Sequence, residues 1–107
     1  MENPSLAYLK ELSNGNTTFT MKILRILIEE LPQEYLDYQN AIKKNNYYLA
    51  AEIVNKINQK IALLQMNNSH FITEQHEISL RSGKLKYQSD FQEIVSKMLK
   101  FLPELYD

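Results

Sequence analysis

Few side chains in this sequence could do covalent or metal chemistry. There is no cysteine, so thiolate nucleophiles, zinc–cysteine sites and disulfides are excluded. His70 and His76 are the only two imidazoles. His70, Glu74, His76 and Glu77 share one segment, and the step from His70 to Glu74 suits one side of a helix. No second segment offers a matching set of metal ligands, and the Glu-x-x-His pattern of di-iron bundles is absent. Neither a metal nor another cofactor is expected. Either histidine is a conceivable nucleophile if its helix leaves it exposed. The other polar residue that raises a question is Asn55, within AEIVNKINQKIALLQM at 51–66. Its carboxamide nitrogen has a lone pair delocalised into the carbonyl, so it donates hydrogen bonds and is a poor nucleophile.

The elements that must position these groups read as helices. The chain has 107 residues, 44% of them apolar, with two glycines and three prolines. That is enough for one core, and the scarcity of turn residues argues against a meander of strands. A short helix is expected in PSLAYLKELS, with Leu6, Leu9 and Leu12 on one side and a break at SNGN around Gly15. A long helix follows from about Thr17 to Lys44, capped by Asn16 or Thr17. Its first half is apolar nearly all round, from Phe19 to Leu31, and Pro32 should kink or split it. Asn46 caps the next helix, about Tyr47 to Gln65. A weaker helix runs from about His70 to Arg81 and closes at Gly83. The last runs from about Ser89 to Glu104, with Pro103 stopping it or kinking its final turn. The expected fold is all-α, an up-and-down four-helix bundle with a short additional N-terminal helix, forming one domain over 1–107.

On the third long element, Ala50, Ile53, Val54, Ile57, Ile61 and Leu64 recur at steps of three and four and form one stripe. Asn55 lies roughly 120–140° from that stripe at 100° per residue. Tyr48, Ala51, Glu52, Gln59, Ala62 and Met66 share its outer face. Small residues beside a central polar group, with apolar residues at the rim, suit a surface that a partner covers. A solvated helix face that happens to carry these residues is the plain alternative. The cluster of Tyr35, Tyr38, Tyr47 and Tyr48 reads as rings packed at one end of the bundle with hydroxyls in water. Lys43 and Lys44 suit a helix C-terminus.

The stretches YLKELSNGN, FTMKILRILIEELPQEYLDYQNAIKKNN and YYLAAEIVNKINQKIALLQM together resemble a histidine-containing phosphotransfer (HPt) domain, over about residues 5–104. The resemblance places Asn55 where the family carries its phosphoacceptor histidine, so it implies a domain that does not accept phosphate there and is not an enzyme. Lys56 and Ile57 keep the family's flavour. Asn58 stands where a lysine is usual, Gln59 where a small residue lets the partner approach, and Lys60 in place of a small hydroxyl residue. The implied partner is the receiver domain of a response regulator or hybrid histidine kinase. The implied docking face is Tyr48, Ala51, Glu52, Lys56, Asn58, Gln59, Lys60, Ala62 and Met66. Lys60 could offer charge near an aspartyl phosphate, while the bulk of Gln59 and Lys60 could close the groove. A structural or dimerisation four-helix module without receiver binding is the reading from another class.

Charge narrows the classes further. Twelve basic and thirteen acidic residues give a net charge of −1 with no basic stripe, which gives nucleic-acid binding little support. No apolar run approaches the roughly 20 residues that cross a bilayer, and MENPSLAYLKELS does not read as a secretory signal. A monomeric cytoplasmic domain is expected.

Overall fold

The computed structural model describes residues 2–106. Its helices are α1 (Ala7–Leu12), α2 (Thr17–Lys43), α3 (Tyr47–Leu63), α4 (Asn67–Arg81) and α5 (Gln88–Tyr106), with no strand among the described residues. The all-α bundle expected from the sequence is what the chain forms. Each long helix packs on two flanking ones: α2 on α3 and α5, and α4 on α3 and α5, with α1 resting on α2. Short connections at 44–46, 64–66 and 82–87 turn successive helices back on one another. No helix is long and apolar enough to cross a membrane among the described residues.

Caps and turns explain the boundaries. Asn16 Oδ1 accepts from the Phe19 N–H at 3.0 Å, and Asn46 Oδ1 accepts from the Leu49 N–H at 3.2 Å. Each satisfies an orphan donor of a first turn. The helix ends share one device. The N–H of Gly15, Asn46, Met66 and Lys84 reaches back to the carbonyl of Lys10, Ala41, Ile61 and Ser79 respectively. The preceding residue is left-handed in each case: Asn14 (φ 53°), Asn45 (55°), Gln65 (57°) and Gly83 (75°). This is the Schellman closure, which satisfies carbonyls that the helix leaves unpaired.

Several boundaries depart from the sequence reading. α4 begins three residues before His70, at Asn67, and Met66 at its N-cap has no side chain able to accept. The Glu2 carboxylate fills that role, Oε1 accepting from the Ser69 N–H at 2.6 Å. Beside it, the Ser5 N–H donates to the Leu64 carbonyl at 2.9 Å and Pro4 is buried. Residues 2–5 thus lie as a strap across the α3–α4 junction. Pro32 does not split α2, which runs unbroken, and Pro103 lies inside α5, which continues to Tyr106. A proline removes one backbone donor, and buried Leu24, Leu27, Leu31, Tyr38 and Ala41 anchor α2 on both sides of it. α1 is shorter than expected, and Leu12 is exposed while Leu9 is buried. Phe19 and Ile26 are also exposed, so the apolar ring of α2 is not covered all round.

Candidate functional site

α3 is flanked by α2 on one side and α4 on the other, and this widens its buried arc beyond the apolar stripe. Ala50, Ile53, Val54, Ile57 and Ile61 are buried as the periodicity requires, and so are Ala51, Asn58 and Lys60. Ala51, Asn58, Lys60 and Met66 therefore do not lie on an open face, which corrects the expected docking set. Ala51 has no exposed surface; Met66 lies beyond α3, where the chain turns into α4 and carries its side chain into the core. The stripe alone could not reveal this, because a helix with two neighbours buries its flanks as well.

Lys60 is turned toward α2. Its Nζ lies 3.0 Å from Glu30 Oε1 and 3.2 Å from Glu34 Oε1. Two carboxylates compensate an ammonium whose side chain is only 11% exposed, as burial of a charge requires. It is thus committed within the bundle and is not an open cation for an arriving phosphoryl group.

Tyr48, Glu52, Asn55, Lys56, Gln59 and Ala62 remain exposed. Asn55 sits within a polar chain that joins α3 to α4. Its Nδ2 donates to Glu77 Oε1 at 3.1 Å, and its Oδ1 accepts from Gln59 Nε2 at 3.1 Å. Glu77 Oε2 accepts from the Arg81 guanidinium at 2.9 Å, which also donates to Glu52 Oε1 at 3.0 Å. Hydrogen bonds to Glu77 and then Glu52 raise the Arg81 pKa above its ordinary value and hold the group charged. That guanidinium lies 5.6 Å from the centre of the Tyr48 ring, within cation–π range. The arrangement can hydrogen-bond and pair charges, and offers no nucleophile at position 55.

The two histidines part company. His76 has no exposed surface and lies 2.7 Å from the Tyr38 hydroxyl through Nε2, across the centre of the bundle. Phe91 packs on both rings, with centroids 5.1 Å from His76 and 4.9 Å from Tyr38. Desolvation lowers the His76 pKa to about 4, against the opposing charge of Asp90, and burial pushes the Tyr38 hydroxyl up. Tyr38 is thus not a wet hydroxyl at the end of the bundle, and His76 is closed to any surface reaction. The signal in the sequence was the spacing of Ser69, Thr73, His76 and Leu80, the buried positions of α4, which places the imidazole on the core side. His70 is half-buried, and its Nδ1 lies 2.9 Å from Asn58 Oδ1, while Asn58 Nδ2 donates to the His70 carbonyl at 3.3 Å. The sequence reading missed this pairing of α3 with α4.

Among the described residues, no group of three or more carboxylates and imidazoles is placed to hold a metal ion. The chain matches no protein-family model, no curated protein and no solved structure.

Proposed function

We propose that this chain is an HPt-like docking domain of the cytoplasm that binds a receiver domain through the exposed arc of α3 and takes no phosphoryl group at Asn55. The observation that carries the reading is the position of Asn55. It lies on the outer arc of α3 in a helical bundle, flanked by exposed Tyr48, Glu52, Lys56, Gln59 and Ala62. An amide there can bond to a partner's polar rim, and Ala62 lets another surface approach closely. The experiment is titration against a panel of receiver domains, with and without a beryllofluoride phosphoryl mimic. Ala62→Arg is expected to weaken binding about tenfold or more, equal to about 1.4 kcal/mol. Ser96→Arg, on the exposed side of α5, leaves it unchanged. Binding to no receiver, or equal binding by both variants, removes the reading.

One observation favours a second reading, a structural or dimerisation module without receiver binding. The Asn55 amide is already satisfied on both sides, by Glu77 and Gln59, so it needs no partner to explain its presence. On that reading the Asn55 face is indifferent to Ala62→Arg.

A further inference from the structure

One face of α2 stays open to water although much of it is apolar. Ile23, Ile26 and Leu27 on α2 and Leu63 on α3 floor a groove of about 470 Å³ between the two helices. Ile26 is 40% exposed, and Phe19, one turn before Ile23, is 47% exposed. Lys22, Ile26 and Glu30 follow along this face at steps of four, the spacing of one of the ridges by which helices pack. Lys22 is exposed and makes no ion pair among the described residues. Glu30 engages Lys60 through Oε1, yet its side chain is 54% exposed. The row thus reads basic, apolar, acidic, with each charge about 6 Å along the axis from Ile26. Turned end for end, such a row is its own complement. An antiparallel copy centred on Ile26 brings each Lys22 level with the second copy's Glu30 and sets the two Ile26 side chains side by side. The net charge of −1 does not oppose self-association. Phe71 and Ile78 are also exposed, on α4, but Glu74 and Gln75 between them supply no cation to answer the acid.

We propose that this face of α2 binds a second copy of the chain, forming an antiparallel two-fold dimer with Ile26 at its centre. The i±4 ridges of the two α2 helices interlock at a crossing of about −50°. The contact is isologous, so each ion pair occurs twice and the assembly closes at two chains. The two-fold leaves both α3 helices on the same side, so the two grooves open onto each other. Phe19, Ile23 and Leu63 then leave water together with Ile26, and the charges form the rim. The proposal rests on the second reading above only in that the chain self-associates; it names the surface and the alignment, and requires nothing of receivers. Tyr48, Glu52, Asn55 and Ala62 lie outside the groove.

The test uses the whole chain. Sedimentation equilibrium is expected to show passage from monomer to dimer between about 10 µM and about 1 mM, the range of a small interface. Ile26→Arg is expected to weaken the dimer tenfold or more, and Phe71→Arg to leave it within about twofold. Lys22→Glu and Glu30→Lys each set like charges against one another and weaken self-association about tenfold or more. Mixed in equal amounts, these two variants restore both opposite-charge contacts and form a heterodimer of about parental affinity. Glu34 still compensates Lys60 in Glu30→Lys. Should that variant fail to fold, Ile26→Arg and Lys22→Glu, both at exposed positions, decide alone. A chain that stays monomeric at about 1 mM overturns the proposal and the dimerisation reading together. A dimer that survives Ile26→Arg and is lost with Phe71→Arg overturns this surface and leaves that reading standing. Failure of the two folded charge variants to combine overturns the antiparallel alignment, and the proposal with it.

Discussion

The His76 imidazole has given up water on all sides and regained one hydrogen bond, to Tyr38. Its Nδ1 is buried without a partner, as is Thr73 Oγ1 one turn earlier. An unpaired buried polar atom costs about 1–3 kcal/mol, so the site tolerates a neutral ring and penalises a charged one more heavily. In the unfolded chain the ring takes a proton near the ordinary value of 6.5, while in the fold it resists until about 4. The unfolded state therefore binds more protons within that window. Stability contributed by this ring is complete above pH 6.5 and is lost as pH falls toward 4. The loss amounts to about 3 kcal/mol at about 1.4 kcal/mol per unit. Urea unfolding over this range is expected to show a decline in the parent that is absent from His76→Gln just below pH 6.5, before the carboxylates titrate. Equal slopes in the two proteins would mean that the ring is charged in the fold. The core placement of His76 could be read from its spacing with Thr73 and Leu80. Its Tyr38 partner could not, since the two lie on helices that are not neighbours in the chain.

At the scale of elements, much was legible. Asn16 and Asn46 cap as their residue type suggests, and Gly83 takes the left-handed place that ends α4. Gln65 does the same work at the end of α3 with no such preference, and nothing in its type announced the turn. A side chain with a Cβ at φ 57° is crowded, by about 1–2 kcal/mol relative to a right-handed conformation. Gln65 is exposed, so replacing it removes no core packing. Gln65→Gly is expected to raise unfolding stability by about 0.5–1 kcal/mol, after the entropy glycine adds to the unfolded chain. Chemical denaturation measures it, and a destabilised variant would count against strain at this turn. The burial of Ala51, Asn58 and Lys60 escaped a reading of α3 by itself, because it depends on which helices stand on either side.

At the scale of the whole molecule, the polar link that spans most sequence among the described residues is the strap. Glu2 meets Ser69 across the α3–α4 junction, a contact no local pattern could announce. A carboxylate at a helix N-terminus both accepts an orphan N–H and complements the dipole. Glu2→Ala is expected to cost about 1 kcal/mol, and amide exchange at Ser69 should quicken with it. Unchanged exchange there would show that the carboxylate does not hold the turn. Lys60 has a consequence of a different kind. Apolar stripes on antiparallel helices can interlock at more than one offset, with similar area hidden in each. The Lys60 ammonium lies between Glu30 and Glu34, which are a turn apart on α2. Sliding α3 by one turn would exchange one of those carboxylates for Ile26 or Tyr38. Only one alignment gives the cation both counter-ions, so a single charged side chain indexes α2 against α3 and singles out one bundle from its near-equivalents.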